Sequence, residues 1–151
     1  MPELITDDKA KTLVLLHDDV LHVLRASRQT TDVHHEAGGI LIGEYRGDNI
    51  NVLAATKPAR GDIRSRFRFF RRSVHHQSMA SHMWLNSNKT QTFVGDWHSH
   101  PEDHPTPSSI DINDWKRKLP NRKMIVVIQG RVSCWYGIWD GKSFTKGHLT
   151  E

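Results

Sequence analysis

His98-Ser99-His100-Pro101, followed by Ser108-x-x-Asp111, brings two imidazoles and a carboxylate together within fourteen residues. Imidazole nitrogen and carboxylate oxygen both suit a borderline divalent cation. Three protein ligands with one position left open is how a catalytic zinc is held, whereas a structural zinc takes four. The stretch therefore points to metal-dependent hydrolysis, which also needs a base to take a proton from water and pass it to the leaving group. A glutamate is the usual base. Glu36, just before Gly38-Gly39, stands where a loop turns into a strand, although local physics alone does not separate it from an ordinary exposed glutamate.

The elements around these residues must aim them. Residues 92–98 are predicted to form a strand ending on the first histidine. Alternation along it puts His98 and His100 on one face, with Trp97 and Ser99 on the other. Pro101 stops the strand. A helix over 110–119, with Ile112, Trp115 and Leu119 inward, places Asp111 in its first turn, where the helix dipole favours a carboxylate. Each half of the motif has a plain explanation of its own, as surface histidines or as a capping box with Asp in place of Glu or Gln. The two together favour the metal. Ser109 is expected to cap the helix, which leaves Ser108 for substrate.

Nearby polar residues are read as bystanders: Asp96 on the face of His98, and Glu102, Asp103 and His104 in a solvated loop. His34-His35 and His75-His76 are adjacent pairs whose side chains diverge, and both are taken as surface positions. HExxH is absent, as is the Pro-Cys-x-x-Cys half of a deaminase zinc site; Cys134 is the only cysteine and is taken as an inert buried thiol.

The remaining pattern predicts a strand over 12–17 and a helix capped by Asp18 or Asp19 that runs to about Arg28, with Val20, Leu21 and Leu24 on one face. Strands over 39–45 and 50–56 are joined across Gly47-Asp48-Asn49. Arg66–Arg71 alternates Arg and Phe and is predicted as one strand, with Phe67 and Phe69 inward and Arg66 and Arg68 outward. Its arginines are either a solvated strand face, a hold on an acidic partner, or a nucleic-acid contact. A helix from Ser73 to Leu85 follows, with Val74, Gln77/Ser78, Ser81 and Leu85 at helical spacing. Residues 124–129 form a central apolar strand, and strands over 132–139 and 143–149 close the chain around Asp140-Gly141. The sum is an α/β or α+β sandwich, a mixed sheet with helices packed against it.

At 151 residues the chain suggests one domain, residues 1–151. A chain of this size buries roughly 68–70% of its unfolded surface and needs no disulfide staple. One cysteine and no leader-like segment suggest a cytoplasmic setting, and no run approaches the roughly 18 apolar residues of a membrane span. A net charge of +4 from 21 basic and 17 acidic residues does not by itself call for nucleic acid. Eleven histidines favour metal or acid–base chemistry.

Glu36-Ala37-Gly38-Gly39-Ile40-Leu41-Ile42-Gly43, His98-Ser99-His100-Pro101 and Ser108-x-x-Asp111, in that order, closely resemble the JAMM motif of the Jab/MPN zinc metalloproteases. The resemblance implies a cytidine-deaminase-like α/β fold, with His98, His100 and Asp111 as ligands of one Zn²⁺ and water as the fourth ligand. It implies Glu36 as general base and acid, and Ser108 as the donor to the oxyanion. The implied substrate is a protein carrying a ubiquitin-like C-terminal tail, cut at an isopeptide or peptide bond. Arg66, Arg68 and Trp97 are candidate substrate contacts. Ala55-Thr56-Lys57-Pro58 and the Arg/Phe stretch at 64–72 resemble the prokaryotic branch, in particular the deconjugating peptidases of CBASS antiphage operons, which implies a conjugated CD-NTase-type target. Competing expectations are a protease for Gly-Gly-tailed sulfur carriers, a metal-free MPN scaffold, and a RadC-like role. Neither a membrane nor a nucleic-acid partner is expected.

Overall fold

The computed structural model describes residues 1–9 and 11–150. Its elements in chain order are β1 (Glu3–Thr6), β2 (Leu13–Leu16), α1 (Asp18–Ala26), β3 (Gly38–Arg46), β4 (Asn49–Ala55), β5 (Ile63–Arg64), β6 (Phe69–Phe70), α2 (His75–Asn86), β7 (Thr92–Ser99), α3 (Ser109–Lys118), β8 (Met124–Gln129), β9 (Cys134–Trp139) and β10 (Phe144–Leu149). Eight strands close on themselves in the order β1-β10-β9-β8-β7-β3-β4-β2, while β5 and β6 form a separate small hairpin. Pairing is antiparallel except for β2–β4 and β7–β8. The expected mixed sheet with flanking helices is therefore present. The short β1, which bridges β2 and β10 and closes the sheet, is absent from the sequence reading because four residues carry almost no periodic signal.

The apolar runs in β3 and β8 follow from burial on both faces. Leu41, Ile125 and Val127 point into a core shared with Val20, Leu21 and Leu24 of α1. Met124, Val126 and Ile128 face the other way, against Trp115 and Leu119 at α3. Ile40 and Ile42 face Ala80 of α2. The sheet thus carries α1 on one side and α2 and α3 on the other.

Three local expectations fail. Asp18 and Asp19 lie inside the first turn of α1, and His17 occupies the N-cap with no side-chain capping bond. α2 buries His76 and Ala80, with Met79 and Met83 packed beside them, whereas Val74 and Leu85 are exposed. The predicted helical face was two residues out of phase, because hydrogen bonds to Thr56 and Asp62 draw His76 inward. The Arg/Phe stretch is a hairpin: Ile63 pairs with Phe70 and Arg64 with Phe69, and Ser65 N–H donates to the Arg68 carbonyl (2.9 Å) across the turn. The turn breaks the alternation, so Phe67 sits at the tip, 67% exposed.

β7 and β8 approach closely at Gly95, where a Cβ would lie 1.9 Å from the Ile125 carbonyl oxygen. Gly95→Ala is expected to destabilise the protein by about 3 kcal/mol or more, since neither backbone can yield within the sheet. Urea denaturation checks this; an unchanged midpoint would contradict the packing described.

Candidate metal centre

β7 divides its side chains by face. His98, and His100 just beyond the strand, project toward a cleft on the side of α3, while Trp97 and Ser99 turn into the interior, both essentially inaccessible. The strand pairs antiparallel with β3 through Gly38↔His98 and Gly39↔Trp97, and parallel with β8 through His98↔Ile128. Glu36 lies two residues before β3, so this register carries it to the histidines. Its backbone is held on both sides by the β5–β6 hairpin: its N–H donates to the Ser65 carbonyl (2.6 Å), and its carbonyl accepts from Arg64 Nε (2.8 Å). Behind it, Ala37 N–H donates to Ser99 Oγ (2.9 Å), and the Ser99 hydroxyl donates to Gln29 Oε1 (2.7 Å). Gln29 in turn donates to the Arg66 and His34 carbonyls. Ser99 and Gln29 therefore brace the loop that carries Glu36. Neither was read from sequence, because the bond joining them spans seventy residues.

α3 supplies the third group. Ser108, not Ser109, is its N-cap. Ser108 Oγ accepts from Asp111 N–H (3.1 Å) and Ser108 N–H donates to Asp111 Oδ2 (2.8 Å), a complete capping box. The capping box and the site are thus one structure, because the cap aims Asp111 at the strand end. Ser108 Oγ acts as acceptor in this cap, which leaves its hydroxyl proton uncommitted, and Ser108 lines the cleft.

The donor atoms converge. His98 Nε2 and His100 Nε2 are 3.1 Å apart. Asp111 Oδ1 is 3.3 Å from the first, and Asp111 Oδ2 is 3.1 Å from the second. Ligands about 2.0–2.1 Å from a tetrahedral zinc are separated by about 3.3 Å, so these spacings suit such an ion, with Asp111 presenting a different oxygen to each imidazole. Glu36, His98 and His100 each offer one ligand atom, all within 4.8 Å of one another, so the Glu36 carboxyl stands at the same point as the imidazoles and is itself within reach of a metal ion held there. Glu102, expected to be only solvated, accepts from His100 at Nδ1 (2.8 Å). That bond fixes the tautomer that leaves Nε2 free as a ligand.

Burial pushes the Glu36 carboxyl up to about 8, with Asp111 adding to the rise and His100 opposing it. Burial also works against ionisation of Asp111, but the two imidazoles and the Ser108 amide overcome it and hold Asp111 far below the usual carboxylate range. Burial would lower His100, yet Asp111 and Glu102 raise it. The cluster thus holds one firmly ionised carboxylate beside a second whose proton affinity lies near neutrality. Positive charge placed between the imidazoles would oppose that rise and lower the Glu36 proton affinity.

The site opens into a cleft of about 480 Å³, walled by Phe67, Arg68 and Phe70 of the hairpin on one side and by Ile110, Trp115 and Lys118 of α3 on the other. Of the three candidate substrate contacts, Arg68 lies in this wall, its guanidinium 4.3 Å from the centre of the Phe70 ring. Arg66 turns away to Asp32 (3.0 Å). The Trp97 indole is buried in the core and donates to the Thr56 carbonyl (2.9 Å), so it has no free face for a substrate. Both Trp97 and Trp115 border the cleft, and the Trp115 ring stands 5.6 Å from that of His98. Asp96 pairs with Arg71, Asp103 with Arg131 and His104 with Ser133, so these remain bystanders. Cys134 is half-buried, and burial pushes its thiol up to about 11, as an inert thiol requires.

The chain is similar to several known proteins. The family described as prokaryotic homologs of the JAB domain matches residues 17–140. A CD-NTase/cGAS isopeptidase of Vibrio cholerae is 39% identical over 89% of this chain and 87% of its own length. Proteins of the same description from Escherichia coli and Pseudomonas aeruginosa are 36% and 35% identical, over 91% and 82% of this chain and 88% and 81% of their own lengths. A solution structure of a Desulfitobacterium hafniense protein superposes with a TM-score of 0.61 over 93% of this chain and 89% of its own, at 20% identity, a likeness of fold. The matched span runs from the end of β2 to the end of β9 and takes in Glu36, His98, His100, Ser108 and Asp111; the chain belongs to the prokaryotic JAB family.

Proposed function

We propose that this protein is a zinc-dependent isopeptidase that releases a conjugated protein target, of CD-NTase type, from a bond at the C-terminus of one partner, and that it acts in the cytoplasm in antiphage defence. The observation that carries this reading is the convergence of the His98, His100 and Asp111 donor atoms at 3.1–3.3 Å beside the buried carboxyl of Glu36. The relatives described as CD-NTase/cGAS isopeptidases support the target class. An intact donor set argues against a metal-free scaffold. Among the described residues, no helix is long and apolar enough to cross a membrane.

In this reading His98, His100 and Asp111 would hold the zinc, which would supply a Lewis acid for the scissile carbonyl and for the attacking water. Glu36 takes the proton from the attacking water. It hands that proton to the leaving amine afterwards. The Ser108 hydroxyl, its oxygen already used in the helix cap, donates a hydrogen bond to the oxygen that gains charge. Glu102 keeps His100 in register. The cleft between hairpin and α3 admits an extended segment, with Arg68 on its wall.

Glu36→Gln is expected to lower kcat about 10²–10⁴-fold, the usual contribution of a positioned base, with zinc content unchanged. Single-turnover assays with metal analysis test it, and full activity would remove Glu36 from the mechanism. Ser108→Ala should cost about 10²–10³ in kcat and about 1 kcal/mol of stability through the lost cap; a stability loss without a kcat loss would leave Ser108 only as a cap. Glu102→Ala should weaken zinc binding about 10–100-fold, read as a shift in the zinc concentration that raises the melting temperature. Release of free target from a conjugate, blocked by a chelator and restored by zinc, tests the proposed activity itself. Failure to cut any conjugate or tailed fusion would overturn it.

A further inference from the structure

A second buried polar cluster lies behind the cleft wall. His76 Nδ1 is 2.6 Å from Thr56 Oγ1, and His76 Nε2 is 2.7 Å from Asp62 Oδ2. Thr56 and His76 are each 2% exposed, and Asp62, a half-buried residue, has its side chain covered. The sequence Thr–His–Asp is that of a hydrolytic triad, but a threonine this deep cannot reach a substrate, so its use must be internal.

The bonding pattern assigns directions. Thr56 Oγ1 accepts from Ile40 N–H (2.8 Å), so its own proton goes to His76 Nδ1. His76 then carries its proton on Nε2 and donates it to Asp62, the tautomer the network requires. Asp62 gathers both ends of the segment between β4 and α2: Oδ2 also accepts from Ala59 N–H (2.9 Å), and Oδ1 accepts from Arg72 and Ser73 N–H (2.8 Å each). One carboxylate thereby closes a loop of about fifteen residues that carries the β5–β6 hairpin. Through Thr56 the closure reaches the core strands, at Ile40 in β3 and, by the Thr56 carbonyl, at the Trp97 indole, one residue before His98. The far end of the hairpin holds the main chain of Glu36 at Ser65 and Arg64.

We propose that Thr56, His76 and Asp62 form a latch that fixes the 59–73 hairpin as the substrate-binding wall of the cleft, with His76 and Asp62 as positioning residues. This rests on the isopeptidase reading for its effect on turnover, but not for its effect on the hairpin. A buried charge-assisted bond that loses one partner leaves the other unpaired, and the hairpin then opens more often.

The test uses zinc-loaded, full-length protein and three variants. In His76→Leu, amide exchange over 59–73 is expected to quicken about tenfold or more, with exchange over β8 unchanged and zinc retained. KM for a conjugate should rise by about the same factor, with kcat falling less. His76→Gln, which can still donate to Asp62, should recover most of both effects. Asp62→Asn should match His76→Leu and serves in its place if that variant does not fold. Unchanged exchange over 59–73 would overturn the latch. So would a rise spread evenly over all strands, or a loss confined to kcat. The exchange readout needs no turnover, so accelerated exchange in a protein that cleaves no conjugate would uphold the latch and dismiss the isopeptidase reading.

Discussion

The antiparallel pairing of β3 with β7 sets Gly38 opposite His98 and Gly39 opposite Trp97, and the chemistry of the cleft depends on it. A strand slip of one residue would turn the histidines into the interior and bring Trp97 and Ser99 out. The glycines permit this register. A Cβ at Gly38 would strike the Phe69 ring at 2.5 Å, and one at Gly39 would strike the Thr56 carbonyl at 2.3 Å. With hydrogens there, the hairpin wall and the end of β4 can close on the strand that leads from Glu36.

Around that register, buried polar groups are paired in two systems on opposite faces of β7. One faces the cleft and consists of Glu36, His98, His100 and Asp111, oriented by Glu102 and by the Ser108 cap. The other faces inward and runs through Ser99, Gln29 and Ala37. Burying such groups is costly unless each is satisfied, so the inner set rigidifies the loop of Glu36 while the outer set is left with donor atoms aimed at a common point. Rigid support behind a converging ligand set is what holds a metal site in working geometry.

The β5–β6 hairpin adds the wall that β3 and β7 lack. It buries little of its own apolar surface: Phe67 and Ile63 are exposed, and its two strands are two residues each. It is held by polar bonds at both ends, to Glu36 at one and to Asp62 at the other. Such a segment belongs to the less stable part of a fold, where binding surfaces are commonly found.

Much of the centre was legible in the residues themselves. Two-residue periodicity placed His98 and His100 on one face. The helix start placed Asp111. The apolar runs in β3 and β8 marked strands covered on both sides. These are local rules of side-chain direction and need no knowledge of the rest of the chain. Other features depended on partners far along the sequence. The choice of Ser108 over Ser109 as N-cap turned on where the helix begins. The Trp97 indole is drawn into the core because it finds its hydrogen-bond partner at Thr56, forty-one residues away. His76 moved inward, and carried the α2 face with it, because Asp62 and Thr56 meet it there. Glu36 is the clearest case: short-range patterns leave it an ordinary glutamate, and only the β3–β7 pairing buries it beside the imidazoles. The sequence by itself determined which side chains share a face, since direction along a strand or helix is a local property. The tertiary structure alone decided which carboxyl becomes buried, because desolvation depends on what the folded chain packs around it.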